Sequence, residues 1–229
     1  MEKDSIWKSL YRMGAIAPLI TIAVYIIQIL ATLGAPYPET MDEWFTMFQH
    51  SKILGLLYLN AFDIFSIAIL GVMFMALYIA LRNFNPSWMS IAAFFVFLGI
   101  AIFVSSRGDM VTATLNLSEQ YAAVTNETQQ IKILAAGQAM HAITEATIET
   151  IGFLFIAVSS LIISIVMLQS DTFNKITAYV GILGCIVTVI DQVFLVISPS
   201  IAIILLPING MLWLIWWLMV SHGLFRLSR

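Results

Sequence analysis

Charge is scarce in this sequence. Only 10 Lys+Arg and 13 Asp+Glu occur among 229 residues, so charged residues make up 10% of the chain. A water-soluble domain carries about 25%, because its surface must be wetted. A soluble globule is therefore excluded. The net charge is −3 and no basic block is present, which excludes a nucleic-acid partner, since phosphates are held by clustered Lys and Arg. Intrinsic disorder is excluded as well, because it needs high net charge with few apolar residues. Cysteine is almost absent. The single Cys185, in the run GILGCIVTV, cannot form an internal disulfide and reads as a small apolar packing residue. The sequence also lacks a G-x-S-x-G elbow, a P-loop, a dinucleotide fingerprint and any fixed-period repeat.

Hydrophobic residues, by contrast, make up 61%, and the mean hydropathy is +0.97. A helix needs about 20 mostly apolar residues to cross roughly 30 Å of hydrocarbon. Six stretches qualify: 13–33, 53–81, 89–105, 137–168, 176–197 and 201–224. The expected architecture is an all-α, polytopic integral membrane protein. It is a six-transmembrane-helix bundle forming a single membrane domain over residues 1–229. Lys3, Lys8 and Arg12 ahead of the first run resemble a secretory leader, but that run is too long for a leader core and reads as a retained helix.

Orientation follows from lysine and arginine alone. With both termini cytoplasmic, Lys3, Lys8, Arg12, Arg82, Lys175, Arg226 and Arg229 lie inside. Lys52, Lys132 and Arg107 are left outside. The expected location is the plasma membrane. The first outer loop sets Met41, Trp44, Phe45 and Phe48 at helical spacing, which predicts a short helix with its aromatic face among lipid headgroups. In the second, Asn126 followed by Gln129 predicts a capped helix start. Trp213, Trp216 and Trp217 read as an aromatic belt near the inner face.

The residues that carry function in a membrane are those the bilayer penalises. They are Asp63, Arg107, Asp109, His141, Glu145, Glu149 and Asp191, with Gln28, Asn60, Gln138, Gln192 and Asn209 as neutral companions. At 1.5 Å of rise per residue, Asp63 is expected about 15 Å below the outer surface and Asp191 about 9 Å. The polar groups thus converge in the outer half, as an outward-facing chamber. In HAITEATIE, His141, Glu145 and Glu149 recur every fourth residue and share one helix face. Two acids one turn apart in low dielectric call for a proton or a cation.

Three chemistries fit this pattern. The first is binding or movement of a small cation or protonatable solute. The second is an intramembrane metal-dependent hydrolase, in which His141, Glu145, Asp63 and Asp191 hold a divalent metal ion that activates water. The third is a non-catalytic sensor or assembly subunit. A haem between His50 and His141 is disfavoured: Gly55 and Gly137 lie nearby to make room for it, but each is a single occurrence. Membrane lipid is the surrounding partner, and a homodimer would supply the symmetry that six helices without an inverted repeat lack.

Three stretches carry a resemblance: LYRMGAIAPL at 10–19, LRNFNPSWM at 81–89 and LSEQYAAVTNETQQIKILAAGQA at 117–139. The last is the most specific. Together they resemble a prokaryotic family of uncharacterised polytopic membrane proteins, domain of unknown function 4386, over the first two-thirds of the chain. The resemblance implies a small multi-helix membrane protein, and it carries no activity, substrate or site residues.

Overall fold

Inside hydrocarbon every backbone N–H and C=O must find its partner within the protein, and a helix achieves this within one segment. The computed structural model describes residues 6–33, 36–143 and 149–229, and their regular elements are all helices. These are α1 (Lys8–Thr32), α2 (Met41–His50), α3 (Lys52–Tyr58), α4 (Asp63–Leu81) and α5 (Pro86–Ala123). They are followed by α6 (Glu127–Ile143), α7 (Glu149–Leu168), α8 (Lys175–Ile197) and α9 (Pro199–Leu227). Six of them, α1, α4, α5, α7, α8 and α9, are long and apolar enough to cross a membrane. The protein is a multi-pass, all-α membrane bundle.

Each spanning helix packs on two others in the order α1, α4, α5, α7, α8, α9 and back to α1, which closes a ring. Small residues set the tightest approaches. A Cβ added to Gly99 on α5 would lie 2.7 Å from the carbonyl oxygen of Gly152 on α7, so the two backbones touch. On α8, a Cβ at Gly181 would collide with Ser164 and the Trp216 indole. At one end of the ring Lys8 donates to the Arg229 carbonyl oxygen at 2.7 Å, and the Arg82 guanidinium lies over the Trp7 ring at 5.8 Å. This basic end also holds Arg12, Lys175 and Arg226. The interior of that half is filled by Met73, Leu77, Ile163, Met167 and Trp216.

The opposite end carries a cap of α2, α3, α6 and the outer part of α5, built on a second apolar cluster. Short polar side chains start its helices. Thr40 accepts from Glu43 N at α2, Ser51 from Leu54 N at α3, and Asn126 from Thr128 N and Gln129 N at α6.

Three expectations change, and a fourth lies partly outside the described residues. The run 53–81 is not one helix, because α3 ends at Tyr58 and α4 begins at Asp63. Asn60 adopts φ 51°, and the N–H groups of Asn60 and Ala61 bond back to the Leu57 and Leu56 carbonyls, forming a Schellman stop. The helix expected at 89–105 runs from Pro86 to Ala123, about 57 Å and nearly twice the hydrocarbon thickness. Its outer part stays helical because Met110, Val111, Thr114 and Ser118 bury one face under the cap. The run 137–168 is described as α6 to Ile143 and α7 from Glu149, with 144–148 outside the described residues. Finally, the aromatic face of α2 does not meet headgroups. Trp44, Phe45 and Phe48 are buried in the cap core, with Tyr121 of α5 against Phe45.

Candidate functional site: a cavity lined by two acids

A cavity of about 540 Å³ occupies the cap-end half of the ring. All six spanning helices contribute to its wall. Its polar lining includes Gln28, Asn60, Asp63, Asp191, Gln192 and Asn209, with the hydroxyls of Thr32 and Thr188. Its apolar side includes Phe74, Trp213 and Trp217, which lie toward the basic end. Counted along the helix axes, Asp63 stands about 27 Å from Leu81, and Asp191 about 24 Å from Lys175. Both therefore lie in the cap-side third of the hydrocarbon.

The break at Asn60 determines where Asp63 sits. Because α3 stops there, Asp63 is the first residue of α4 rather than a mid-helix residue about 15 Å deep, as expected from a continuous helix. An acid in a first helical turn faces the positive end of the helix dipole. Arg107 of α5 seals the other side of the break, donating from Nη1 to the Leu59 carbonyl at 3.0 Å, and its guanidinium lies over the Phe103 ring at 5.6 Å.

Each acid is held by a carboxamide from the neighbouring helix. Gln28 Nε2 donates to Asp63 Oδ1 at 2.8 Å, which ties α1 to α4. Asn209 Nδ2 donates to Asp191 Oδ2 at 3.4 Å, which ties α9 to α8. Thr188 extends the second pair. Its hydroxyl accepts from Trp213 Nε1 at 2.9 Å and has both Asn209 Oδ1 and the Gly184 carbonyl within 2.9 Å, to one of which it donates at a time. Gln28 Oε1 is buried and has no hydrogen-bond partner among the described residues. None of the described side chains on the cavity wall is Lys, Arg or His.

Of the expected site residues, Asp63 and Asp191 come together at this cavity, on opposite sides of the ring. His141 does not join them. It lies on α6 in the cap, with Nε2 3.1 Å from Thr114 Oγ1 and its ring 5.7 Å from that of Trp44. Burial there lowers its pKa, and the nearby positive charge of Arg107 lowers it further. Arg107 sits behind the Leu59 carbonyl rather than on the cavity wall, and Asp109 is exposed on α5. Glu145 lies outside the described residues, and Glu149 is described only as the first residue of the α7 backbone. Among the described residues no three of His, Cys, Asp and Glu gather as a metal site. His141 in particular is separated from Asp63 and Asp191, so the divalent-metal set His141, Glu145, Asp63 and Asp191 is not assembled from the described side chains.

Sequence reasoning missed the aromatic side of the cavity. Trp213 and Trp217 line it, and Trp216 is fully buried in the ring, so they form no interfacial belt. Trp217 stands nine residues before Arg226, about 13 Å inward along the helix. That distance was the available signal. Thr188 was missed because a lone threonine in an apolar helix ordinarily satisfies itself on the preceding turn.

The family described as domain of unknown function (DUF4386) matches residues 19–221. The chain belongs to that family. No curated protein and no solved structure matches it.

Proposed function

We propose that the cavity binds a small organic cation or protonatable amine. One observation carries this reading: two acids face a single cavity whose described wall supplies no basic side chain. A carboxyl group in a poorly solvated space is neutralised by a proton or by a cation. The carboxamides of Gln28 and Asn209 orient the two acids but bring no charge. The indole and phenyl faces of Trp213, Trp217 and Phe74 suit the alkyl part of an organic ammonium, and an indole attracts the cation itself. Because the basic-end half of the ring is filled, the reading is one of binding in a chamber closed at that end. A hydrolase would need a metal set that the described residues do not assemble.

Butylammonium is a suitable probe. The purified chain in lipid nanodiscs should bind it saturably, measured by isothermal titration. Asp63→Asn or Asp191→Asn should weaken binding at least tenfold while leaving the helical content unchanged. Binding competes with protonation of the acids, so affinity should rise from acidic to neutral pH and lose that dependence in the double variant. Parent and both variants binding alike, or none binding at all, would refute the reading.

We also infer that both termini and the basic end face the cytoplasm of the plasma membrane, with the cap and cavity outside. The support is the lysine and arginine bias, since Lys8, Arg12, Arg82, Lys175, Arg226 and Arg229 share one end. In a Cys185→Ser background, an impermeant thiol reagent applied from outside should label Asp42→Cys and Asn126→Cys but not Asn174→Cys. Labelling of Asn174→Cys would reverse the orientation.

A further inference from the structure

The cavity is not walled equally on all sides. In the basic half α1 and α9 are joined: Ser221 Oγ donates to the Ala15 carbonyl at 2.6 Å, and further out the Tyr25 and Trp217 rings meet at 6.1 Å. Beyond that pair no hydrogen bond or ring contact joins the two helices among the described residues. On α1, Ile26, Ile27, Ile29 and Leu30 are all exposed, and successive residues turn 100° around the axis. Those directions of α1 are therefore uncovered at this level, while Tyr25, Gln28 and Thr32 form the side that faces the protein. On α9, Leu206 and Gly210 recur one turn apart above Trp213 and Trp217. Ile29 and Leu206 line the cavity and are yet 61% and 64% exposed. A Cβ on Gly210, which also lines it, would meet nothing within 4 Å. The wall thus opens as a wedge between α1 and α9, with apolar lips, at a depth where the surroundings are hydrocarbon.

We propose that this wedge is a lateral portal and that the ligand of the cavity is a single-chain amphiphile with a primary ammonium head, reached from the bilayer. The proposal rests on the cation reading above and deepens it. The head sits between Asp63 and Asp191. The alkyl chain leaves between Ile29 and Leu206 and stays in lipid, so the apolar tail never needs to enter water. A hydrophilic solute gains nothing from lips of isoleucine and leucine in the hydrocarbon layer. An amine that already partitions into the membrane is concentrated there.

The test compares two amines with the same head, butylammonium and dodecylammonium, on the full chain in phosphatidylcholine nanodiscs, with empty discs subtracted. Two substitutions narrow the portal from separate helices: Ile29→Trp on α1 and Gly210→Leu on α9. Both positions are open, so folding is expected to survive. If one variant fails to fold, the other decides the question. Each variant should weaken dodecylammonium binding at least tenfold more than it weakens butylammonium binding, and equal weakening of the two would overturn the portal. Unchanged dodecylammonium binding alongside normal butylammonium binding would overturn the portal and leave the cation reading standing. Saturable binding of neither amine to the parent would remove both. A disulfide between two copies of a Leu206→Cys, Cys185→Ser chain in the membrane would put a second chain over the wedge and overturn the lipid route.

Discussion

The two halves of the ring are built from the same six helices, yet one is filled and the other hollow. In the basic half Met73, Leu77, Ile163, Met167 and Trp216 meet at the centre. In the cap half the same helices present Gln28, Asp63, Thr188, Asp191 and Asn209 to a cavity of about 540 Å³. Lipid tails are as apolar as leucine, so burying leucine drives no association here and close packing has to hold the helices. The filled half supplies that packing. The hollow half is held by hydrogen bonds between helix pairs instead, α1 to α4 and α8 to α9. Close packing and the cavity are thus divided along the membrane normal.

The largest effect should come from removing a side chain of the filled half. Trp216→Ala deletes a fully buried indole and is expected to cost about 3 kcal/mol or more. Trp213→Ala, on the cavity wall, loses less packing and one hydrogen bond, about 1–2 kcal/mol. Unfolding of the two variants in mixed micelles, followed by far-ultraviolet circular dichroism, gives the contrast. Equal losses would erase the distinction between the halves.

A smaller effect concerns the cap. Burial and the charge of Arg107 lower the pKa of His141 in the fold, so the folded protein favours the neutral ring. The unfolded chain then binds the proton more readily between its own pKa of about 6.5 and the lowered folded value. In that window stability rises with pH. Acidification through it should loosen α6, seen as faster amide exchange at Glu127–Ile143, and His141→Gln should flatten the response. The ring helices should not follow.

The smallest effect is at the surface of the cap, where Lys52 and Glu119 pair at 2.6 Å with side chains 62% and 56% exposed. Lys52→Ala should change stability by less than about 1 kcal/mol, within the range of solvated pairs. A larger loss in the same unfolding measurement would mean that the cap relies on that contact.

The six spans and their all-α class were legible, because a run of 20 apolar residues has few uses other than crossing a bilayer. The meeting of Asp63 and Asp191 was legible in kind, since both are costly acids in the outer half. Depth counting put Asp63 too far in, because the residues around Asn60 stay apolar and the local stop leaves no gap in hydropathy. The extension of α5 to Ala123 was hidden by its polar composition, although the spacing of Met110, Val111, Thr114 and Ser118 marks a helix face. The aromatic stripe of α2 was readable as a helix but not its partner, since lipid and protein core demand the same apolar face. His141 was grouped with the ring acids by its four-residue spacing to Glu145 and Glu149, whereas its contacts with Thr114 and Trp44 place it in the cap. The cap that claims it is a tertiary arrangement, with no pattern in the residues around it.

One further consequence follows from the length of α5. A single rod belongs to both the ring and the cap, and it touches α7 backbone to backbone at Gly99 and Gly152. From Gly99 the rod runs about 20 Å to Pro86 and about 36 Å to Ala123. The α7 contact extends along it from Ala92, whose carbonyl accepts from Ser159 Oγ at 2.8 Å, to Phe103, whose ring lies 5.1 Å from that of Phe153. The cap is thus built on the long free end of a helix that the ring grips lower down.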